Sequence, residues 1–157
     1  DYFSEKEIKN NIRNIYVDKK FTLVSFYNYS FFKTYENIDV HYLTEYNSYK
    51  IYSIAGNIFY PDNISECYKK MNIIDNELQT LTYNAKILSD QIYTPPDDPT
   101  GKSKVTPIVY MLDSGDIIGI QCYDFSDEYI LNYRVTDNLE VFLDTKEFNS
   151  WLSSNPY

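Results

Sequence analysis

Two apolar stretches separated by a polar turn form the most strongly patterned part of the chain. Large apolar side chains occupy nearly every position of residues 105–112, and apolar residues recur at every second position of residues 117–123. A period of two places the apolar residues of the second stretch, Cys122 among them, on one face of a strand. The intervening Asp-Ser-Gly-Asp sequence is typical of a turn, since Gly115 takes a positive φ without steric clash. The pattern predicts a β-hairpin over residues 105–123.

Residues 21–60 are rich in the β-branched and aromatic side chains that favour strands. Three such runs cover residues 21–29, 38–45 and 49–55, which predicts antiparallel strands. Gly56 follows the last run and predicts a bend or bulge before the next apolar residues.

The single histidine of the chain lies in the second of these runs. Alternation puts the aliphatic residues of the run on one face and Asp39, His41 and Glu45 on the other, so we expect His41 on a polar face. The Asn47-Ser48 pair that follows predicts a turn.

Two segments before residue 90 show the period of an amphipathic helix. Ser4 and Glu7 have the spacing of a capping box, and isoleucines at steps of three and four predict a helix over residues 4–14. A longer apolar stripe predicts a helix over residues 64–82, with Asn63 as its N-cap. The residues of this stripe are Ile64, Cys67, Tyr68, Met71, Ile74, Leu78 and Leu81.

The C-terminal part repeats the order of strand and helix. Residues 124–138 are polar and predict a loop or a short helical turn, whereas residues 139–152 predict a last strand and a terminal helix. Asp144 and Glu147 have the spacing of a helix cap and its box partner. Three residues then share one helical face, and we expect Trp151 to anchor the helix in the core. These residues are Phe148, Trp151 and Leu152.

Residues 93–104, YTPPDDPTGKSK, form a loop by every local signal. Loops of this length without secondary structure are often functional or flexible. A plain connector and a partner-binding loop both fit the sequence. If the loop binds a partner, we expect Tyr93, Asp97, Asp98 and Lys102 to contact it.

These elements predict one domain over residues 1–157, of the α+β class. The chain is long enough for one core, and no Pro/Gly/Ser-rich linker divides it. We expect a mostly antiparallel β-sheet with one major amphipathic helix packed on one face and short helices near the termini.

Charge and aromatic content restrict the partners. The chain has 14 Lys and Arg against 23 Asp and Glu, and its net charge of -9 repels nucleic-acid phosphates and anionic lipid headgroups. No apolar run approaches the roughly 18 residues of a transmembrane helix. Eighteen Tyr and nine Phe exceed what these elements bury, so we expect exposed rings, including Tyr29, Phe32 and Tyr35, to meet a protein or glycan partner. A tyrosine-rich core produced by an AT-rich genome is the alternative.

The sequence contains no recognised catalytic or metal-binding motif. His41 is the only imidazole, and the two cysteines lack metal-ligand spacing. The Gly-Lys-Ser segment at residues 101–103 lacks the earlier glycine of a phosphate-binding loop, because Pro96 stands there. Acidic residues without calcium-loop spacing favour a solvated surface over a Ca²⁺ site, and Asp124 with Glu128 is an unspecific candidate pair for a hydrolase. We predict no cofactor and no metal.

The two cysteines fall on apolar faces that point at the same layer. Cys67 lies on the predicted long helix and Cys122 on the second hairpin strand. A disulfide between them closes a loop of about 56 residues, which the chain-entropy model values at about 4 kcal/mol. Two buried thiols fit the same pattern. We expect the disulfide.

Three segments carry a resemblance to known proteins. They are GNIFYPDNISECYKKMNIIDNEL (residues 56–78), residues 103–126 and DNLEVFLDTKEFNSWL (residues 137–152). Their order, with a cysteine in the helix, a hairpin ending in Cys-Tyr-Asp-Phe-Ser and a closing Trp-Leu helix, resembles small exported domains of uncharacterised function from AT-rich Gram-negative, alphaproteobacteria-like bacteria. The resemblance covers the C-terminal two-thirds and implies export and a disulfide, with no activity attached. A chain starting at Asp1 fits a removed export signal or a cloning boundary equally.

Three functions follow as hypotheses. The first is a non-catalytic binding or accessory domain of an exported protein, periplasmic or secreted. The second is a small acidic inhibitor or immunity-type protein in the cytoplasm, whose charge would meet a basic partner. The third is a carboxylate-dependent hydrolase, which a cleft lined by paired acids would favour. The redox state of the cysteines distinguishes the first two.

Overall fold

The protein, represented by a computed structural model, has an eight-stranded antiparallel sheet and helices on its faces. The structure describes residues 3–16, 18–44, 50–82 and 84–154. The predicted α+β class is confirmed, and the longest helix packs on one face of the sheet. None of the helices in these ranges combines the length and the apolar character needed to cross a membrane. The predicted Asn47-Ser48 turn lies outside the described residues.

The strands are ordered so that the two halves of the chain meet in the middle of the sheet. The strands are β1 (Ile12–Ile15), β2 (Phe21–Tyr27), β3 (Asn37–Leu43), β4 (Ile51–Phe59), β5 (Lys86–Ser89), β6 (Lys104–Met111), β7 (Ile117–Asp124) and β8 (Asn138–Asp144). The helices are α1 (Glu5–Asn10), α2 (Ile64–Leu81), α3 (Asp127–Tyr133) and α4 (Lys146–Ser154). The sheet order is β1-β2-β3-β4-β8-β7-β6-β5, so β8 lies between β4 of the first half and β7 of the second.

The main core lies between α2 and the strands β6, β7 and β8. The buried residues of this core are Cys67, Met71, Leu78, Tyr110, Ile120, Cys122 and Leu139. The sulfur atoms of Cys67 and Cys122 lie 1.96 Å apart and their Cα atoms 6.1 Å apart. The predicted pair is therefore at disulfide-bonding distance, inside the layer where both apolar faces were expected to meet.

The N-terminal helix is shorter than the predicted 4–14. The Ser4 hydroxyl accepts a hydrogen bond from the Glu7 amide, and the Glu7 carboxylate accepts one from the Ser4 amide at 2.8 Å, so the capping box is confirmed. The helix ends at Asn10, and the chain continues as β1, where Ile12 pairs with Val24 of β2. A narrow apolar stripe stabilises an isolated helix weakly, and pairing with the sheet gives these residues backbone hydrogen bonds.

Gly56 does not bend its strand, contrary to the prediction. β4 runs through it without interruption, and a Cβ atom at this position would lie 2.7 Å from the Tyr35 ring. Gly56 therefore leaves room for an aromatic ring to pack on the strand. The irregular pairing in this part of the sheet lies between His41 and Tyr42 of β3.

The terminal helix packs on the opposite face of the sheet. His41 lies on the same face of β3 as Asp39, as expected, but the helix covers it. The His41 ring lies 4.5 Å from that of Phe148, and burial lowers the pKa of His41 to about 4. Trp151 is buried as expected, with its ring 4.9 Å from that of Phe21. Thr145, rather than Asp144, caps the helix, because its hydroxyl accepts from the Phe148 amide.

Candidate functional site

The sheet face opposite α2 carries a row of polar side chains. In β7 and β8 the residues that alternate with the α2 core point to this face. The register pairs Asn37 with Asn57, Asn57 with Glu140, and Glu140 with Gln121. Four polar side chains therefore lie side by side across four strands, over about 15 Å at the usual strand spacing. We call these four residues, together with Asp39 on the same face of β3, the polar row.

Hydrogen bonds connect the members of the polar row. The Asp39 carboxylate accepts from the Asn37 amide at 3.0 Å and from the Ser25 hydroxyl. The Glu140 carboxylate accepts from the Gln121 amide at 2.6 Å. Asn37 is only 3% exposed, and its side-chain oxygen has no hydrogen-bond partner within the described ranges. The row thus contains a buried acceptor that the described part of the protein leaves unpaired.

The electrostatics of this face are dominated by carboxyl groups. Burial raises the pKa of Glu140, the hydrogen bonds that it accepts oppose this rise, and the charges of Asp39 and Asp144 add to it. Burial also raises the pKa of Asp144. The ion pairs found among the described residues involve none of these three groups. The polar row and its surroundings are therefore rich in carboxyl groups and hydrogen-bond acceptors.

An aromatic strip begins at the polar row and ends at the surface. The Tyr123 hydroxyl donates to Glu140 at 3.2 Å. From Tyr123 the rings stack in sequence on Phe125, Tyr129 and Tyr133, with centroid separations of 5.4, 5.3 and 4.4 Å. Tyr133 is 52% exposed. We call these four rings the aromatic strip.

The 93–104 loop is held by its own side chains. The Asp98 carboxylate accepts from the Thr100 amide and the Ser103 amide, both at 2.8 Å. The Ser103 hydroxyl in turn accepts from the Ser126 amide at the start of α3, at 3.0 Å. These bonds attach the loop to the helix that carries half of the aromatic strip.

Three of the four loop residues predicted to bind a partner lie beside these features. The Tyr93 hydroxyl donates to Gln121 at 3.4 Å, and Asp97 accepts from the Tyr129 hydroxyl at 2.6 Å. Lys102 forms an exposed ion pair with an α3 carboxylate at 3.7 Å. The fourth residue, Asp98, is only 6% exposed, and its carboxylate organises the loop.

The other predicted aromatic residues lie elsewhere. Tyr29 and Phe32 surround the Phe3 ring beside α1, and the Tyr29 hydroxyl donates to Glu7. Tyr35 packs on Gly56, on the α2 side of the sheet. The structure therefore does not bring these three residues together with the 93–104 loop.

The polar row was missed because its residues come from four strands far apart in sequence. One local signal was available, since Gln121 is the one amide in the apolar run IIGIQCY. A polar residue in the middle of such a run indicates either a buried hydrogen-bonding group or the second face of a strand.

Two shallow depressions lie away from the polar row. They have volumes of about 120 and 170 Å³ and adjoin the hairpin turn at Leu112 and Asp113. Small-molecule sites usually measure about 300–1,000 Å³, so both depressions are smaller than such sites.

Comparison with known proteins gives no match to a family model, to a curated protein or to a solved structure.

Proposed function

We propose that this chain is a non-catalytic recognition domain that binds a protein or glycan partner through the polar row, the aromatic strip and the 93–104 loop. The observation that carries the proposal is the continuity of these three features. Tyr123 connects the strip to Glu140 of the row, and Tyr129 connects it to Asp97 of the loop. Tyrosine rings beside hydrogen-bonding groups are characteristic of binding surfaces.

The anchoring of the loop supports this proposal. Asp98 and Ser103 tie the loop to itself and to α3 before any partner is present. A surface that is already ordered loses less conformational entropy on binding, which favours affinity.

The proposal includes export, to the periplasm or the exterior. The support is the Cys67–Cys122 pair at bonding distance, because structural disulfides persist in oxidising compartments. The resemblance to small exported domains supports the same location. The alternative is an acidic cytoplasmic inhibitor, supported by the net charge of -9, which would use the same surface against a basic partner.

The hydrolase hypothesis has weaker support. Of its candidate pair, Glu128 forms an ion pair with Lys102, and Asp124 ends β7. Glu140 has the raised pKa typical of a general acid and lies near the Asp39 charge. However, the carboxyl groups of the polar row line neither of the two depressions at the hairpin turn. A recognition surface also accounts for the aromatic strip beside the row.

Site-specific photo-crosslinking tests the recognition function. A benzophenone amino acid is placed at Tyr133 or Lys102, and as a control at Ile73, which is 54% exposed on α2. In the native cells, we expect crosslinked species from Tyr133 and Lys102 and none from Ile73. Peptide mass spectrometry of these species identifies a protein partner, and loss of the added mass on glycosidase treatment identifies a glycan. Equal crosslinking from Ile73, or none from the two test positions, would contradict the proposal.

A further inference from the structure

We propose that the polar row binds a guanidinium group, presented by an arginine side chain of a basic polypeptide. This inference rests on the proposed recognition function and specifies the chemistry of its partner.

The hydrogen-bonding groups of the row require a donor. Asn37 donates its amide to Asp39, and Gln121 donates its amide to Glu140. Ser25 donates its hydroxyl to Asp39 as well. Each of these three groups therefore already has an acceptor, whereas the buried Asn37 oxygen has no partner in the described part of the chain. An incoming group satisfies this oxygen only if it brings N–H or O–H donors.

The carboxyl groups of the row and of the neighbouring Asp144 select a cationic donor. Asp39 and Asp144 both repel a negative charge on Glu140. The ion pairs observed in the described ranges are made by other carboxylates, so no Lys or Arg at contact distance offsets this repulsion. Within the same ranges no three Asp, Glu, His or Cys side chains are placed to share a metal ion. The arrangement therefore fits an organic cation that contacts neighbouring acceptors along the row.

A guanidinium fits better than an ammonium. Its five N–H groups lie in one plane and match a carboxylate bidentately, whereas an ammonium is a compact point charge. A guanidinium of the chain itself stacks beside the row. The Cζ atom of Arg13 lies 5.5 Å from the ring centroid of Tyr27, and Tyr27 pairs with Asn37 in the sheet. Tyr123 supplies a second ring at the other end of the row, where it donates to Glu140.

A polypeptide is the source that fits the shape and charge of this face. The row extends across β3, β4, β8 and β7, while the depressions of about 120 and 170 Å³ lie by the hairpin turn. A net charge of -9 attracts basic chains over a Debye length and orients their approach.

The test is an NMR titration of the ¹⁵N-labelled full chain with the peptide acetyl-Gly-Arg-Gly-amide. The side-chain NH₂ signals of Asn37 and Gln121 report on the row directly. We expect both signals to shift saturably. Citrulline is neutral and nearly isosteric with arginine, and the peptide that carries it should bind at least about tenfold more weakly.

Two variants distinguish binding at the row from a general effect of the net charge. Glu140→Gln keeps the shape and should weaken arginine binding about tenfold, whereas Glu77→Gln on α2 changes the net charge equally and should leave it unchanged. Thermal unfolding confirms that each variant is folded, and Asp39→Asn replaces Glu140→Gln if it is not.

Three results would overturn the inference. These are equal shifts with citrulline, equal shifts of the same amides with the neutral disaccharide cellobiose, and no shift of either amide. If crosslinking from Tyr133 succeeds while the titration fails, the recognition function stands without arginine binding at the row. If the titration succeeds while crosslinking fails, the row binds guanidinium and the wider surface is wrong.

Discussion

At the scale of single residues, Gly56 illustrates how the lack of a side chain determines a packing contact. The Tyr35 ring occupies the space in which a Cβ atom at Gly56 would lie, 2.7 Å from the ring. The β4 strand continues through this position, and Gly56 pairs with Ile38 and Val141 on either side. The glycine is therefore required for side-chain packing and not for backbone conformation.

We expect Gly56→Ala to lower the free energy of unfolding by about 1–3 kcal/mol, because the added methyl group displaces the Tyr35 ring. Urea unfolding measures the effect. In a chain that also carries Tyr35→Ala, the same alanine should cost at least about 1 kcal/mol less, since the clash is gone. Additive effects of the two substitutions would show that the Tyr35 ring is not the obstacle.

His41 gives the protein a pH dependence with a defined sign. Burial lowers the pKa of His41 to about 4 in the folded state, against about 6.5 in the unfolded chain. Below pH 6.5 the unfolded state therefore binds a proton that the folded state does not. The free energy of unfolding therefore falls as the pH is lowered from 6.5 towards 4, by roughly 3 kcal/mol in total, and this loss is absent above pH 6.5.

Comparison with His41→Gln isolates this contribution from that of the acidic residues. Burial raises the pKa values of Glu140 and Asp144, and such carboxyl groups act in the opposite sense, favouring the folded state as the pH falls. We expect the stability difference between wild type and His41→Gln, measured by urea unfolding, to shrink from pH 7 to pH 4.5. A difference that is constant over this range would mean that His41 titrates normally.

At the scale of elements, the pattern within one segment predicted the structure of that segment well. The contacts between segments could not be predicted in this way. The hairpin of β6 and β7 combined a period of two with turn residues, and α2 had a long apolar stripe, so both were predictable. The short strand β5 was missed, because its four residues are exposed or half-buried and do not alternate. The polar row exists only because β8 inserts between β4 and β7, a long-range pairing that no local period indicates.

The 93–104 loop is predicted to depend on one carboxylate. Asp98→Asn keeps the size of the side chain but leaves one acceptor oxygen where two now accept from Thr100 and Ser103. We expect the amide protons of Thr100 and Ser103 to exchange about tenfold faster in this variant, as measured by NMR. Asp113→Asn, in the exposed hairpin turn, is the matched control. Unchanged exchange in the Asp98 variant would show that other contacts hold the loop.

At the scale of the whole molecule, the two halves of the chain are joined in two ways. β8 completes the sheet between β4 and β7, and Cys67 of the central helix meets Cys122 of β7 across the main core. The cysteines are 55 positions apart, so a covalent bond between them restricts a large part of the unfolded chain. A disulfide here would support the proposed export, because structural disulfides persist in oxidising compartments.

Thiol counting tests the link and the proposed location together. We expect the native protein, alkylated under denaturing conditions without reduction, to gain no alkyl groups, and the reduced protein to gain two. Reduction should lower the free energy of unfolding by about 4 kcal/mol, because a loop of this length no longer restricts the unfolded chain. A chain carrying both Cys67→Ala and Cys122→Ala is the control, since a reducing agent should leave its stability unchanged. Two alkyl groups without reduction would remove the main structural support for export and favour the acidic cytoplasmic inhibitor, whose partner would be sought among basic intracellular proteins.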